Sequence, residues 1–154
     1  MRIVRGLLAL GTAALAQALL SHHVPVAARY CDLFTIMVVY YGLTCPPSAA
    51  MAMGTGAGLV EDALVGSILG MNGFKKTLIG YLVGTIGSLF MLNQAIPRFG
   101  ILFAATVFDP LAEWGLSVAL GRSFVFPDTL HLLERGLGNG VLGLLFFWVA
   151  SRLP

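Results

Sequence analysis

Apolar residues run along this chain in long blocks, and polar residues fall in short clusters between them. None of the blocks alternates with the period of two that marks a half-buried strand, and each is as long as a helix. Six helical segments are predicted. The first covers residues 4–20 and is closed by Ser21, His22, His23 and Pro25. The second, "DLFTIMVVYYGL", covers residues 32–43. It is short for a membrane crossing, and an extension back through Ala27 and Ala28 would lengthen it. Pro46 and Pro47 end it, because proline disfavours helix in the residue before it. The same prolines suit the first turn of the next segment, where a missing N–H costs nothing. The third segment covers residues 48–66, with a turn near residues 70–73, and the fourth covers residues 74–92. Asn93, Gln94 and Pro97 form the next connection. The fifth covers residues 99–120, with Pro110 inside it as an expected kink. Residues 121–128 are the longest polar stretch. "PDTL" then reads as a helix start capped by Asp128 or Thr129. An amphipathic turn through Glu134 and Arg135 leads into the sixth segment, residues 137–151.

Composition turns these segments into spans. The 154 residues are 58% hydrophobic, and only 10% are Asp, Glu, Lys or Arg. Soluble domains carry roughly 25% charged residues, and a bilayer-spanning helix needs about 20 apolar residues. The expected fold is therefore an all-α membrane protein, a six-transmembrane-helix bundle in one integral membrane domain over residues 1–154, with the lipid bilayer as solvent. Net charge is +2 with scattered basic residues, which excludes a nucleic-acid partner. Arg2 and Arg5 ahead of an apolar run, followed by "AQA" at residues 16–18, also fit a cleaved secretory signal. In a chain embedded throughout, the first helix is expected to stay as an anchor. Charge leaves orientation open. With the N-terminus inside, Arg2, Arg5, Arg98 and Arg152 face Arg29, Lys75, Lys76, Arg122 and Arg135 across the membrane.

The polar residues inside the spans carry the candidate chemistry. Glycines recur four apart at Gly54 and Gly58, Gly66 and Gly70, Gly80 and Gly84, and Gly136 and Gly140. Small residues at this spacing let helix backbones approach closely in lipid, either within one bundle or against a partner's helix. Glu61 and Asp62 follow the first pair. At about 100° per residue they lie roughly 20° and 80° from Gly54, so both flank the glycine stripe. Two readings are open: a buried polar pocket, or an interfacial position near Gly66. Asp109 and Glu113 are four apart and share a face; like charges so placed repel and require water, a cation or a hydrogen-bond donor. Asn139 and Asn72 are further polar candidates. His22 and His23 read as solvated loop residues. Cys31 and Cys45 would lie about 21 Å apart on one helix, too far for a disulfide. No nucleophile–base spacing, phosphate loop or metal-ligand cluster stands out, so neither catalysis nor a metal or cofactor is expected.

The stretch "GLVEDALVGSILGMNGFKKTLIGYLVG", residues 58–84, resembles the rod shape-determining protein MreD family. It shows a glycine-rich helix, an acid at Asp62, a small-residue turn and "GYL.G" at residues 80–84. "CDLFTIMVVYYGL" resembles that family's acid-led second helix, with Asp32 at its head. "LGNGVLGLLFFWVASRL" resembles its last helix, with Asn139 in the family's place. The Glu61–Asp62 doublet exceeds the one acid usual there, and Cys31 stands where proline is more usual. The resemblance implies a non-enzymatic inner-membrane scaffold of the bacterial elongation complex. Its implied partners are MreC, the MreB cytoskeleton, RodA and a penicillin-binding transpeptidase. It also implies a six-helix arrangement like the substrate-binding subunits of energy-coupling-factor vitamin transporters. A vitamin-binding subunit is thus the alternative, with Ala9 and Ala13, and Ala14 and Ala18, as small docking pairs. A proton-linked carrier using Glu61, Asp62, Asp109 and Glu113 would need a polar path, and six spans without an internal repeat speak against it.

Overall fold

The computed structural model describes residues 2–89, 94–122, 126–150 and 152, and every regular element in them is helical. The elements are α1 (Arg2–His23), α2 (Pro25–Tyr30), α3 (Leu33–Thr44), α4 (Pro47–Val65), α5 (Met71–Leu89), α6 (Ala95–Ala119) and α7 (Thr129–Ala150). By length and composition α6 and α7 are apolar enough to cross a bilayer. The predicted ends at Leu92 and Ser151, and Asn93 in the connection, lie outside the described residues.

Local chemistry moved several boundaries. Ser21, His22 and His23 do not break α1; only Pro25 does, by opening α2 at its first turn. The second segment does not reach back through Ala27 and Ala28 as one helix. Instead Cys31 and Asp32 are extended, and Asp32 caps α3 by accepting the Thr35 N–H at 2.9 Å. Pro97 sits within the first turn of α6, where its missing N–H has no partner to lose, so that helix starts earlier than residue 99. The amphipathic turn at Glu134 and Arg135 belongs to α7, which starts at Thr129 behind Asp128.

Helix α3 is the hub. It is apolar all round, buried from Phe34 to Val39, and touches α1, α4, α5, α6 and α7. The tightest pairing is α4 with α5, which run antiparallel along a glycine seam. A Cβ on Gly54 would strike the Lys76 carbonyl, and one on Gly58 the Asn72 carbonyl. From the other side, a Cβ on Gly80 would lie 2.5 Å from the Ala50 carbonyl oxygen, and one on Gly84 2.8 Å from Pro47 Cα. Gly136, Gly140 and Gly143 of α7 receive Phe103, Phe99 and Leu102 of α6. Gly66 and Gly70 are not a packing pair. They are in the left-handed region, with φ of 70° and 97°, and shape the α4–α5 turn with open space beside them.

Burial is inverted relative to a water-soluble fold. Asp32, Asp62, Lys75, Lys76 and Asp109 are buried, whereas Ile96, Leu15, Leu130 and Trp148 face outward. The acids gather in the half of the bundle that holds the end of α1, α2, the start of α3, the α4–α5 turn and the start of α7.

Candidate functional site

The break between α2 and α3 places non-helical backbone inside the bundle, where unsatisfied polar groups are costly. Side chains from distant helices satisfy it. Asn139 Oδ1 on α7 accepts the Asp32 N–H at 2.8 Å. Gln17 on α1 accepts the Leu33 N–H and donates to the Cys31 carbonyl, both at 3.2 Å. Asn139 is fully buried and also donates to Thr106 Oγ1 of α6 at 3.3 Å.

Asp32 leads from this break into an ion cluster. Its Oδ2 accepts from Thr35 Oγ1 at 2.7 Å and from Lys76 Nζ at 3.0 Å, with Arg135 of α7 at 3.4 Å. Lys76 also donates to Thr35 Oγ1 at 2.8 Å and faces Glu61 Oε2 at 3.0 Å and Asp109 Oδ1 at 3.8 Å. The Glu61 contact is an ion pair off hydrogen-bond geometry, so that buried oxygen has close opposite charge but no donor aligned on it. Lys75 closes the other side, donating to Glu113 at 2.7 Å and Asp109 at 3.4 Å. Asp109 therefore bridges the two lysines. Five helices or their caps, α3 to α7, are tied by a cluster of four carboxylates and three cations.

Asp62 does different work. It turns away from the cluster and closes the α4–α5 turn. Its carboxylate accepts from the Ser67 hydroxyl and from the backbone N–H groups of Gly70 at 2.8 Å, Asn72 at 3.1 Å and Gly73 at 3.4 Å. An acid from the last turn of α4 thereby caps the first turn of α5, whose N–H groups have no intrahelical partners and favour negative charge. Two adjacent acids serve two tasks because successive helix positions point about 100° apart. The doublet lies in the last turn before Gly66, with Asp62 buried and Glu61 facing Lys76. Asp62→Asn, which replaces one acceptor oxygen by a donor, is expected to lower stability by ~1 kcal/mol. The check is thermal unfolding of the purified chain.

The structure thus brings Asp32, Glu61, Asp109, Glu113 and Asn139 together and sets Asp62 apart. It also supplies residues that sequence reasoning missed. From the sequence Lys75 and Lys76 count only among the charges of one membrane side; in the fold they are buried counterions, 1% and 0% exposed. The legible signal was charge balance, because carboxylates inside spans require cations of their own. Thr35, three residues after Asp32, follows a capping spacing. Arg135 lies one turn before Asn139 on the same face of α7. Cys31 and Cys45 are both free.

The family model of the rod shape-determining protein MreD matches residues 1–150. The chain belongs to the MreD family. No curated protein and no solved structure matches it. The MreD match spans all seven helices, so the ion cluster, the α2–α3 break and the glycine seam all fall within the family's domain. MreD proteins are membrane-associated shape-determining proteins, which agrees with a fold whose charges face inward.

Proposed function

We propose that the chain is a non-enzymatic, multi-pass scaffold of the bacterial inner membrane that binds MreC. With RodA, a penicillin-binding transpeptidase and the MreB cytoskeleton, it helps direct peptidoglycan synthesis and so cell shape. The family match over residues 1–150 carries this reading. The inverted burial supports one integral membrane domain with six crossings, five made by helices of 19 residues or more and one by α2 with the 12-residue α3; its arrangement is taken to be like that of the vitamin-transporter subunits. A scaffold must present a fixed surface. The cluster supports that role because its three cations are all spent on its carboxylates, locking α3 to α7 into one body whose exterior is left largely apolar for lipid and partner helices.

The same geometry bears on orientation. Lys75 and Lys76 are consumed in ion pairs and do not act as flanking charges. The end where α1 starts and α7 finishes then carries Arg2, Arg5, Arg98 and Arg152 and no acid, against Arg29 and Arg122 among the acids, Arg135 being paired with Asp32. The positive-inside bias then favours a cytoplasmic side for the start of α1 and the end of α7.

Affinity purification of the tagged full chain from its native membrane is expected to recover MreC. Gly58→Leu and Asp62→Asn, which disturb the α4–α5 seam and turn, are expected to reduce that recovery severalfold. Wild-type chain recovered without MreC would reject the scaffold reading. Undiminished recovery with both variants would free the seam from any part in docking.

A further inference from the structure

Between α1 and α4 lies a half-open cleft of about 490 Å³, lined by Gln17, Ser21 and His22 of α1, Phe34 of α3, and Glu61 and Leu64 of α4. We infer that this cleft binds the headgroup of a phospholipid bearing a primary ammonium, with Glu61 as the anion that holds it.

Charge complementarity selects the ligand. The cluster holds Asp32, Glu61, Asp109 and Glu113 against Lys75, Lys76 and Arg135, one carboxylate in excess. Lys76, the cation facing Glu61, is shared with Asp32 and Asp109. Asp109 and Asp32 are sealed at 3% exposure. Glu113 is already bonded to Lys75, and its side chain is 36% exposed. Glu61 alone among the four lines the cleft; its Oε2 is turned inward to Lys76, and the side chain keeps 16% of its surface exposed. An incoming cation therefore meets Glu61.

The rest of the cleft fits an amphiphile. Ser21 and His22 at the end of α1 offer a hydroxyl and an imidazole of the kind that contact a phosphate. Leu15, Leu19, Leu64 and Val65 are each at least half exposed on the flanking faces, where acyl chains would lie. The volume falls in the range of small-ligand sites, roughly 300–1,000 Å³. A single lysine or arginine side chain from a partner protein would leave most of it unfilled, and a whole helix, about 10 Å across, would not enter.

The test uses the full chain reconstituted into nanodiscs of equimolar phosphatidylethanolamine and phosphatidylglycerol, followed by native mass spectrometry of the released protein. The wild type is expected to retain phosphatidylethanolamine at least tenfold over phosphatidylglycerol. Glu61→Gln is expected to abolish that preference. Ala18→Trp, which fills the cleft while leaving every charge of the ion cluster in place, is expected to do the same, so the test survives if Glu61→Gln folds poorly. Equal retention of both lipids by the wild type overturns the inference. So does an unchanged preference in Ala18→Trp. If Glu61→Gln keeps the lipid preference but loses MreC, the cleft takes a partner's basic side chain and the lipid assignment fails.

Discussion

Lys76→Met is expected to destabilise the protein more than any other single change, by about 3–5 kcal/mol, the cost of removing one partner from a buried ion pair. Methionine fills similar space, so the loss is electrostatic. Lys76 Nζ lies 3.0 Å from Asp32, 3.0 Å from Glu61 and 3.8 Å from Asp109. Without it, three carboxylates face one another in a medium of low dielectric, and Thr35 Oγ1 loses a donor. The measurement is the thermal midpoint of the purified chain in detergent, with yield from the membrane as a second readout. Adding Asp32→Asn to Lys76→Met is expected to recover part of the loss, because it removes charge rather than volume. A double-mutant cycle reads that coupling directly. A Lys76→Met protein that melts with the wild type would show that the cluster does not hold the bundle together.

Gly58→Leu is expected to have the second largest effect. Its Cβ would clash with the Asn72 carbonyl of α5, and backbone cannot move aside as a flexible side-chain end can. The two helices must separate, which breaks the neighbouring contacts at Gly54 and Gly80 and pulls Asp62 from the N–H groups it caps. Overpacking costs about 1–3 kcal/mol where side chains can adjust; here the obstacle is main chain, so the upper end applies. Gly11→Leu serves as the control, because nothing lies within 4 Å of a Cβ at Gly11. It is expected to melt with the wild type. Equal melting of Gly58→Leu and Gly11→Leu would remove the seam from the account of stability.

Much of the architecture was legible in the residue pattern. The helical class follows from apolar blocks too long for strands. The cap at Asp128 follows from a short polar side chain ahead of an apolar run. The need of Asp109 and Glu113 for a cation follows from their shared face. What stayed hidden was which cation. Lys75 and Lys76 stand at the start of an apolar block, where lysines usually reach for water, and only the packing of α5 against α3, α4 and α6 turns them inward. Gly66 and Gly70 carry the same four-residue spacing as Gly54 and Gly58, yet they shape a turn, because spacing does not distinguish a stripe on one helix from two glycines across a helix end.

The chain by itself determined that its helices are too apolar for water, that their glycines permit close approach, and that its acids need partners. These properties belong to single residues and to positions three or four apart. Only the tertiary structure decided that Glu61 joins Asp32 and Asp109 around Lys76 while Asp62 caps the next helix, and that Asn139 and Gln17 repair the backbone at the α2–α3 break. Those partners lie up to 107 positions apart along the chain, as with Asp32 and Asn139. Attraction between charges depends on distance in space and on the surrounding dielectric, and both are set only when the helices pack.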